Sequence, residues 1–574
     1  MSRGTAVLLL VLLLVGCRPA PSVESPSPKP EALRPSPAVP VQISTSTPTP
    51  TPEGETLEEQ IARLERQNSS VEVSVATSRP TRPASRANLD LVLPGPGKAA
   101  VVDDSQLASL QEQAKYSGSA ADWRLVAERA VALNDFATAH QAFASEAAIY
   151  REKGHKQAAI AEQTKADQYA TDLEFYSRTS PSKSGKQSRL EPENGCLVGA
   201  FIDRDPNLGT HHFASQTHGD IEEFNKLTGK RHASFFMYRS YGHPFPREWA
   251  EYVKSQGAVV HIAWEPKSVR AVYDEGYLKE FVDAAKALDH PVMLRFASEM
   301  NGEWTGYHGD PEAYKKAFRY VYQETRRAPK VALMWCPNTV PQANIQDYYP
   351  GDDAVDWVGV NFYSVPFLDN NHKRPGEKIH PTDHLRYVYD VYSSRKPIAI
   401  GEWAASHRSA LVEKDLTPFA KTKLGQLYGA LPTRFPRVKM VNWYDCNNMV
   451  QAREERQLNN FQLTGSEKLL AAYAKAVSQP HFVGAELTAS PVAYRKVSKT
   501  VKLSGGDEVR LFLKSYDPLL KVYFRDGGRV VHASDDPLEW SVKSSDLTGA
   551  GTLEVLVYDS QNRFVTRSSI DYTK

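Results

Sequence analysis

Two glutamates stand just beyond apolar runs of strand length. Glu299 lies in Arg295-Phe-Ala-Ser298-Glu299-Met-Asn301-Gly302-Glu-Trp304, and Glu402 in Lys-Pro-Ile398-Ala-Ile400-Gly401-Glu402-Trp403. A pair of carboxyl groups across a cleft is what glycosidic cleavage needs. One is held protonated to donate to the leaving oxygen, and the other is ionised to attack or stabilise the anomeric carbon. Environment separates the two: apolar or anionic neighbours keep a carboxyl protonated, whereas a guanidinium or phenol donors keep one ionised. Period-two alternation puts Arg295, Ala297 and Glu299 on one strand face, and Glu402 on the face of Ile398 and Ile400.

The elements that must hold them repeat as strand, loop and helix. Strand-length apolar runs fall at 197–202, 233–238, 258–264, 291–297, 331–335, 355–362, 397–400 and 439–444. Helical patterns lie between most of them, such as Asp310-Pro311 followed by Tyr314, Phe318, Val321 and Tyr322 on one face. Eight units in residues 194–478 predict a (β/α)8 (TIM) barrel, whose chemistry sits at the carboxyl ends of the strands. A doubly wound open sheet is the alternative, but no glycine-rich phosphate turn follows the first strand. Other acids reach the same rim: Asp203, Glu265 and Asp445.

These stretches, with Trp335-Cys-Pro-Asn338, Tyr348-Tyr349-Pro350-Gly351-Asp352 and Val355-Asp-Trp357-Val-Gly359-Val-Asn361-Phe-Tyr363, resemble glycoside hydrolase family 26 over roughly residues 195–475. That family of retaining barrel hydrolases is best known for β-mannanases. The resemblance implies Glu299 as acid/base and Glu402 as nucleophile, with carboxyl groups about 5–5.5 Å apart. It implies Tyr363 as the phenol bonded to the nucleophile and Trp443 as the floor of the subsite for the reacting sugar. Arg295 accompanies them below the rim. Trp264, Trp304, Trp335 and Trp403 are candidate stacking faces, and His261 and Asn338 candidate hydroxyl contacts. One position departs: the family's mannanases usually carry His before the acid/base, and here Ser298 stands there. The expected substrate is a β-linked polysaccharide, β-mannan first and β-glucan second. A barrel kept for sugar binding without catalysis is one rival, against which both glutamates are present; a cell-envelope scaffold working through the helical region, its barrel acting on exopolysaccharide, is the other.

Around the barrel, 574 residues leave room for several domains. Ser2 and Arg3 precede an apolar run at 6–16, too short to span a bilayer but suited to a signal peptide. It ends in Leu14-Val15-Gly16-Cys17, which resembles the lipobox of bacterial lipoproteins, so residues 1–17 are expected to direct export and Cys17 to carry lipid. The membrane is then a partner only through that anchor. Residues 18–103 read as a tether, with eleven prolines between 18 and 55. Residues 104–177 are alanine-rich with helical spacing and turn signals at Asn134-Asp135 and Lys153-Gly154, resembling one or two tetratricopeptide-like helix pairs, a possible protein contact. A linker at 178–193 follows. Residues 482–574 carry seven short strand runs (500–503, 509–514, 519–524, 530–532, 538–542, 552–558 and 564–570) and predict an immunoglobulin- or fibronectin-like β-sandwich. Tyr523, Phe524 and Trp540 are candidates for a sugar platform there.

A balance of 69 basic against 68 acidic residues gives no field for nucleic acid. No His, Cys, Asp or Glu grouping has metal-ligand spacing, His211-His212 being a lone doublet, so neither metal nor organic cofactor is expected. Cys196, Cys336 and Cys446 are expected as free thiols.

Overall fold

The computed structural model describes residues 105–180, 187–213, 216–486 and 492–574, all in one compact unit; the 6–16 run, Cys17 and the proline-rich stretch lie outside the described residues. Four helices come first: α1 (Ser105–Ser117), α2 (Ala120–Ala132), α3 (Phe136–Glu152) and α4 (Lys156–Tyr169). Ser119 and Asp135 cap α2 and α3 by accepting backbone N–H groups of the first turn. Left-handed Asn134 and Gly154 make the turns the sequence marks. Val126, Ala127, Ala130, Ala139, Ala142 and Phe143 fill the core between the helices.

The next strand, Asp172–Thr179, corrects the boundary drawn from the sequence between helical region and linker. It lies inside the C-terminal sandwich, antiparallel to Ala493–Val497 on one side and Glu508–Lys514 on the other. Leu173 and Phe175 pack into the sandwich core, while Tyr176 packs against the barrel. The sandwich is thus closed by chain from both ends of the barrel. Its second sheet runs Thr500–Lys502, Phe564–Thr573, Ala550–Tyr558, Lys521–Asp526, Arg529–Ser534. Phe524 and Trp540 are buried in the core between the sheets, which removes the three-aromatic platform; Tyr523 packs on Leu556 and Tyr558 instead.

The barrel itself is a closed ring of parallel strands: Cys196–Arg204, Ser234–Ser240, Val259–Glu265, Val292–Phe296, Val331–Trp335, Trp357–Asn361, Ile398–Trp403 and Val438–Cys446, the last pairing back onto the first. Leu197, Met293, Met334, Trp357, Ala399 and Met440 fill its interior. A larger apolar shell lies between strands and helices. Helix Thr417–Ala430 carries the sandwich: a Cβ on Gly429 would come within 2.9 Å of the Pro537 carbonyl, so this close approach needs glycine. Lys475–Asp536 at 2.7 Å and a buried Lys514–Asp383 pair join the same two layers.

Candidate active site

Both glutamates reach the mouth, but neither by simple alternation. After Phe296 the chain leaves strand geometry, and Ala297 and Glu299 take left-handed φ values of 46° and 60°. The turn is pinned by Ala297 N–H donating to the Trp264 carbonyl at 3.0 Å and Glu299 N–H donating to that of Cys336 at 2.8 Å. On the seventh strand Ile398 and Ile400 face the helices, so strict alternation would aim Glu402 there too. A β-bulge between Ile400 and Glu402 turns the carboxylate inward instead. Gly401 makes this possible, because a Cβ there would meet Asn361 Oδ1 at 2.5 Å and Cys336 Sγ at 2.8 Å.

The two carboxyl groups have opposite surroundings. Glu402, 2% exposed, accepts from Arg295 Nη2, from Tyr363 O–H and from Tyr238 O–H at 2.6 Å. Arg295 is wholly buried over the Phe236 ring; burial works against its charge, but Glu402 outweighs this and raises the guanidinium pKa. Glu299, 6% exposed, accepts from Trp304 Nε1 at 2.7 Å, Asn361 Nδ2 at 3.0 Å and Asn338 Nδ2 at 3.1 Å. Its pKa is raised, first by burial and then by the charge of Glu402, against the pull of those three donors. Asn361 ties the halves together, since its Oδ1 accepts from Arg295 Nη1 at 3.2 Å. One carboxyl is thus biased towards the acid and the other is held as an acceptor for a cation and two phenols, the division of labour that glycosidic cleavage requires.

Of the residues expected at the site, Arg295 and Tyr363 touch Glu402, and Asn338 and Trp304 touch Glu299. The other four tryptophans face the helices. Trp264 stacks on Phe281 and donates to Tyr277, and Trp335 packs against Tyr349 and Tyr392. Trp403 lies edge-on to Trp443, whose Nε1 donates to the Phe461 carbonyl and whose ring meets Tyr473. All four are 0% exposed, so none can floor a sugar subsite. His261 is buried in the barrel below the mouth, where burial and then Arg295 push its pKa well down. Among the competing acids, Asp203 accepts from His218 at 2.9 Å, and Asp445 is buried against Asp205. Glu265 is bonded to Ser298 and Tyr307. Cys196 and Cys336 are buried free thiols, and the buried Cys446 donates its S–H to Asn448 Oδ1 at 3.0 Å.

Tyr238 and Asn361 are site residues that sequence reasoning missed. Each signal was present: Tyr238 closes the second apolar run, and Asn361 lies two residues before Tyr363, on the same face by alternation.

The family model described as glycosyl hydrolase family 26 matches residues 265–374. Endoglucanase H of Acetivibrio thermocellus is 22% identical over 312 residues, 51% of this chain and 31% of that protein. The β-1,3-xylanase TXYA of a Vibrio species is 38% identical over 84 residues, 13% of this chain and 17% of that one. The chain thus spans under a third of the length of these curated relatives. Among solved structures, a family 26 β-mannanase from Bacteroides ovatus aligns with 13% identity and a TM-score of 0.35, over 51% of this chain and 91% of its own.

Proposed function

Starting from a barrel whose residues 265–374 match the family model of glycosyl hydrolase family 26, we propose that this protein is an endo-acting hydrolase of β-linked polysaccharide that retains anomeric configuration. The observation that carries the reading is the asymmetric pair: Glu402 bound by Arg295, Tyr238 and Tyr363, and Glu299 with a raised pKa, joined through Asn361. A Glu402 oxygen attacks the anomeric carbon while the protonated Glu299 gives its proton to the departing glycosidic oxygen. Glu299, now ionised, takes a proton from water; the resulting hydroxide attacks the same carbon and the Glu402 carboxylate leaves. Arg295 and the two phenols orient the nucleophile and receive it back as an anion.

β-Mannan is the first substrate and β-glucan the second. Ser298 stands where the family's mannanases usually carry histidine, and the two curated relatives carry the names of a glucanase and a xylanase. The protein is exported and lipid-anchored through Cys17, a reading supported by the 6–16 run and Leu14-Val15-Gly16-Cys17. The test is a panel of mannan, glucomannan, lichenan and xylan given to wild type, Glu299→Ala and Glu402→Ala. Wild type is expected to release oligosaccharides from at least one and the variants from none. No release by wild type, or persistent release by Glu402→Ala, overturns the reading.

A further inference from the structure

The acid/base stands on an unusual piece of backbone. Left-handed φ at Ala297 and Glu299 is unfavourable for L-residues, so something must hold the turn. Backbone hydrogen bonds secure positions 297 and 299. Between them, Ser298 Oγ–H donates to Glu265 Oε1, and Tyr307 O–H lies within reach of both Glu265 Oε2 and the Ser298 carbonyl, the latter at 2.6 Å. Glu265 ends the third barrel strand and keeps partial exposure, whereas Ser298 and Tyr307 are buried. The three form a closed triangle against one side of the Glu299 turn.

We infer that Glu265, through Ser298 and Tyr307, is a positioning residue for the acid/base. Both Glu265 oxygens are engaged by hydroxyls that hold the Glu299 turn, so its loss should disturb proton transfer before it disturbs the nucleophile. A carboxylate suits the role because it accepts at both oxygens, one for each hydroxyl. The triangle brings this orientation from a neighbouring strand. This assignment rests on the retaining-hydrolase reading.

The experiment exploits a leaving group that needs no acid. The 2,4-dinitrophenyl β-glycoside of the disaccharide released from whichever polysaccharide the wild type cleaves is given to wild type, Glu265→Gln, Glu265→Ala and Ser298→Ala. Glu265→Ala is expected to release one dinitrophenolate per enzyme in a fast burst and then turn over about 10–100-fold more slowly than wild type, with a lower KM, because water activation by Glu299 is impaired. Azide, a nucleophile that needs no base, should restore turnover. Glu265→Gln, which keeps one acceptor, should lie between. Ser298→Ala removes only a hydroxyl and serves where Glu265→Ala does not fold; it should show the same burst in milder form. Unchanged turnover, or slow turnover with neither burst nor azide response, overturns the assignment while leaving the hydrolase reading intact. Absence of any cleavage by wild type removes that reading instead, and the assignment with it.

Discussion

Removing the hydroxyls that serve Glu402 should have unequal effects, and burial decides the inequality. Tyr363 is 2% exposed and donates to one carboxylate oxygen; Tyr238, partly exposed, donates to the other at 2.6 Å. A hydrogen bond to a charged group is worth about 1.5–3 kcal/mol when nothing replaces it. Water cannot reach the site of the Tyr363 hydroxyl, so Tyr363→Phe should sit near the top of that range, a loss of about 30–150-fold in kcat/KM. At Tyr238 solvent can supply a substitute donor, and Tyr238→Phe should lose only about 2–10-fold. The assay is kcat/KM for a soluble polysaccharide substrate, measured at a temperature where thermal melts show both variants folded. Equal losses, or a larger loss at Tyr238, would refute the reasoning that burial sets the value of each phenol.

Three further outcomes follow from the same geometry. Glu299→Gln should melt higher than wild type at neutral pH: burial and Glu402 raise the Glu299 pKa, so the native state favours the neutral form, and stability falls as pH climbs from the unfolded to the folded pKa. Thermal melts should show the gain vanish at acid pH, where wild type is protonated in both states. Asn361→Ala removes a donor that favours ionised Glu299, so the alkaline limb of the pH–rate profile should move to higher pH; a shift to lower pH would contradict the assigned donor. Trp443→Ala should destabilise the protein by about 3–5 kcal/mol, visible in urea unfolding, with KM of the folded fraction unchanged.

How much of this was legible beforehand follows from the physics of each signal. All eight barrel strands could be placed because a parallel strand buried on both faces is a continuous apolar run. That same double burial hides which face a side chain takes. Trp264, Trp335, Trp403 and Trp443 are as apolar as any interior residue, and only the alternation of their neighbours puts them on the helix side. Glu402 was placed at the mouth by an alternation that would have aimed it at the helices, and the bulge beside Gly401 restored it. Such a bulge leaves little trace in sequence beyond a glycine next to a polar residue. Asp172–Thr179 reads as more of the helical region because no Gly or Pro falls between 155 and 179, although Leu173 and Phe175 alternate as a strand does. Its partners lie more than three hundred residues away at 493–497 and 508–514, a separation no local pattern carries. The triangle around Ser298 is also closed between elements, since Glu265 comes from a different strand.

The central claim is that Glu299 and Glu402 act as acid/base and nucleophile in double displacement, and the stereochemistry of the first-formed product tests it most directly. Proton NMR of the new reducing end, recorded before mutarotation, should show the β anomer appearing first and the α anomer growing in afterwards. Initial release of the α anomer would mean single displacement by water, and the assignment of Glu402 as nucleophile would be wrong.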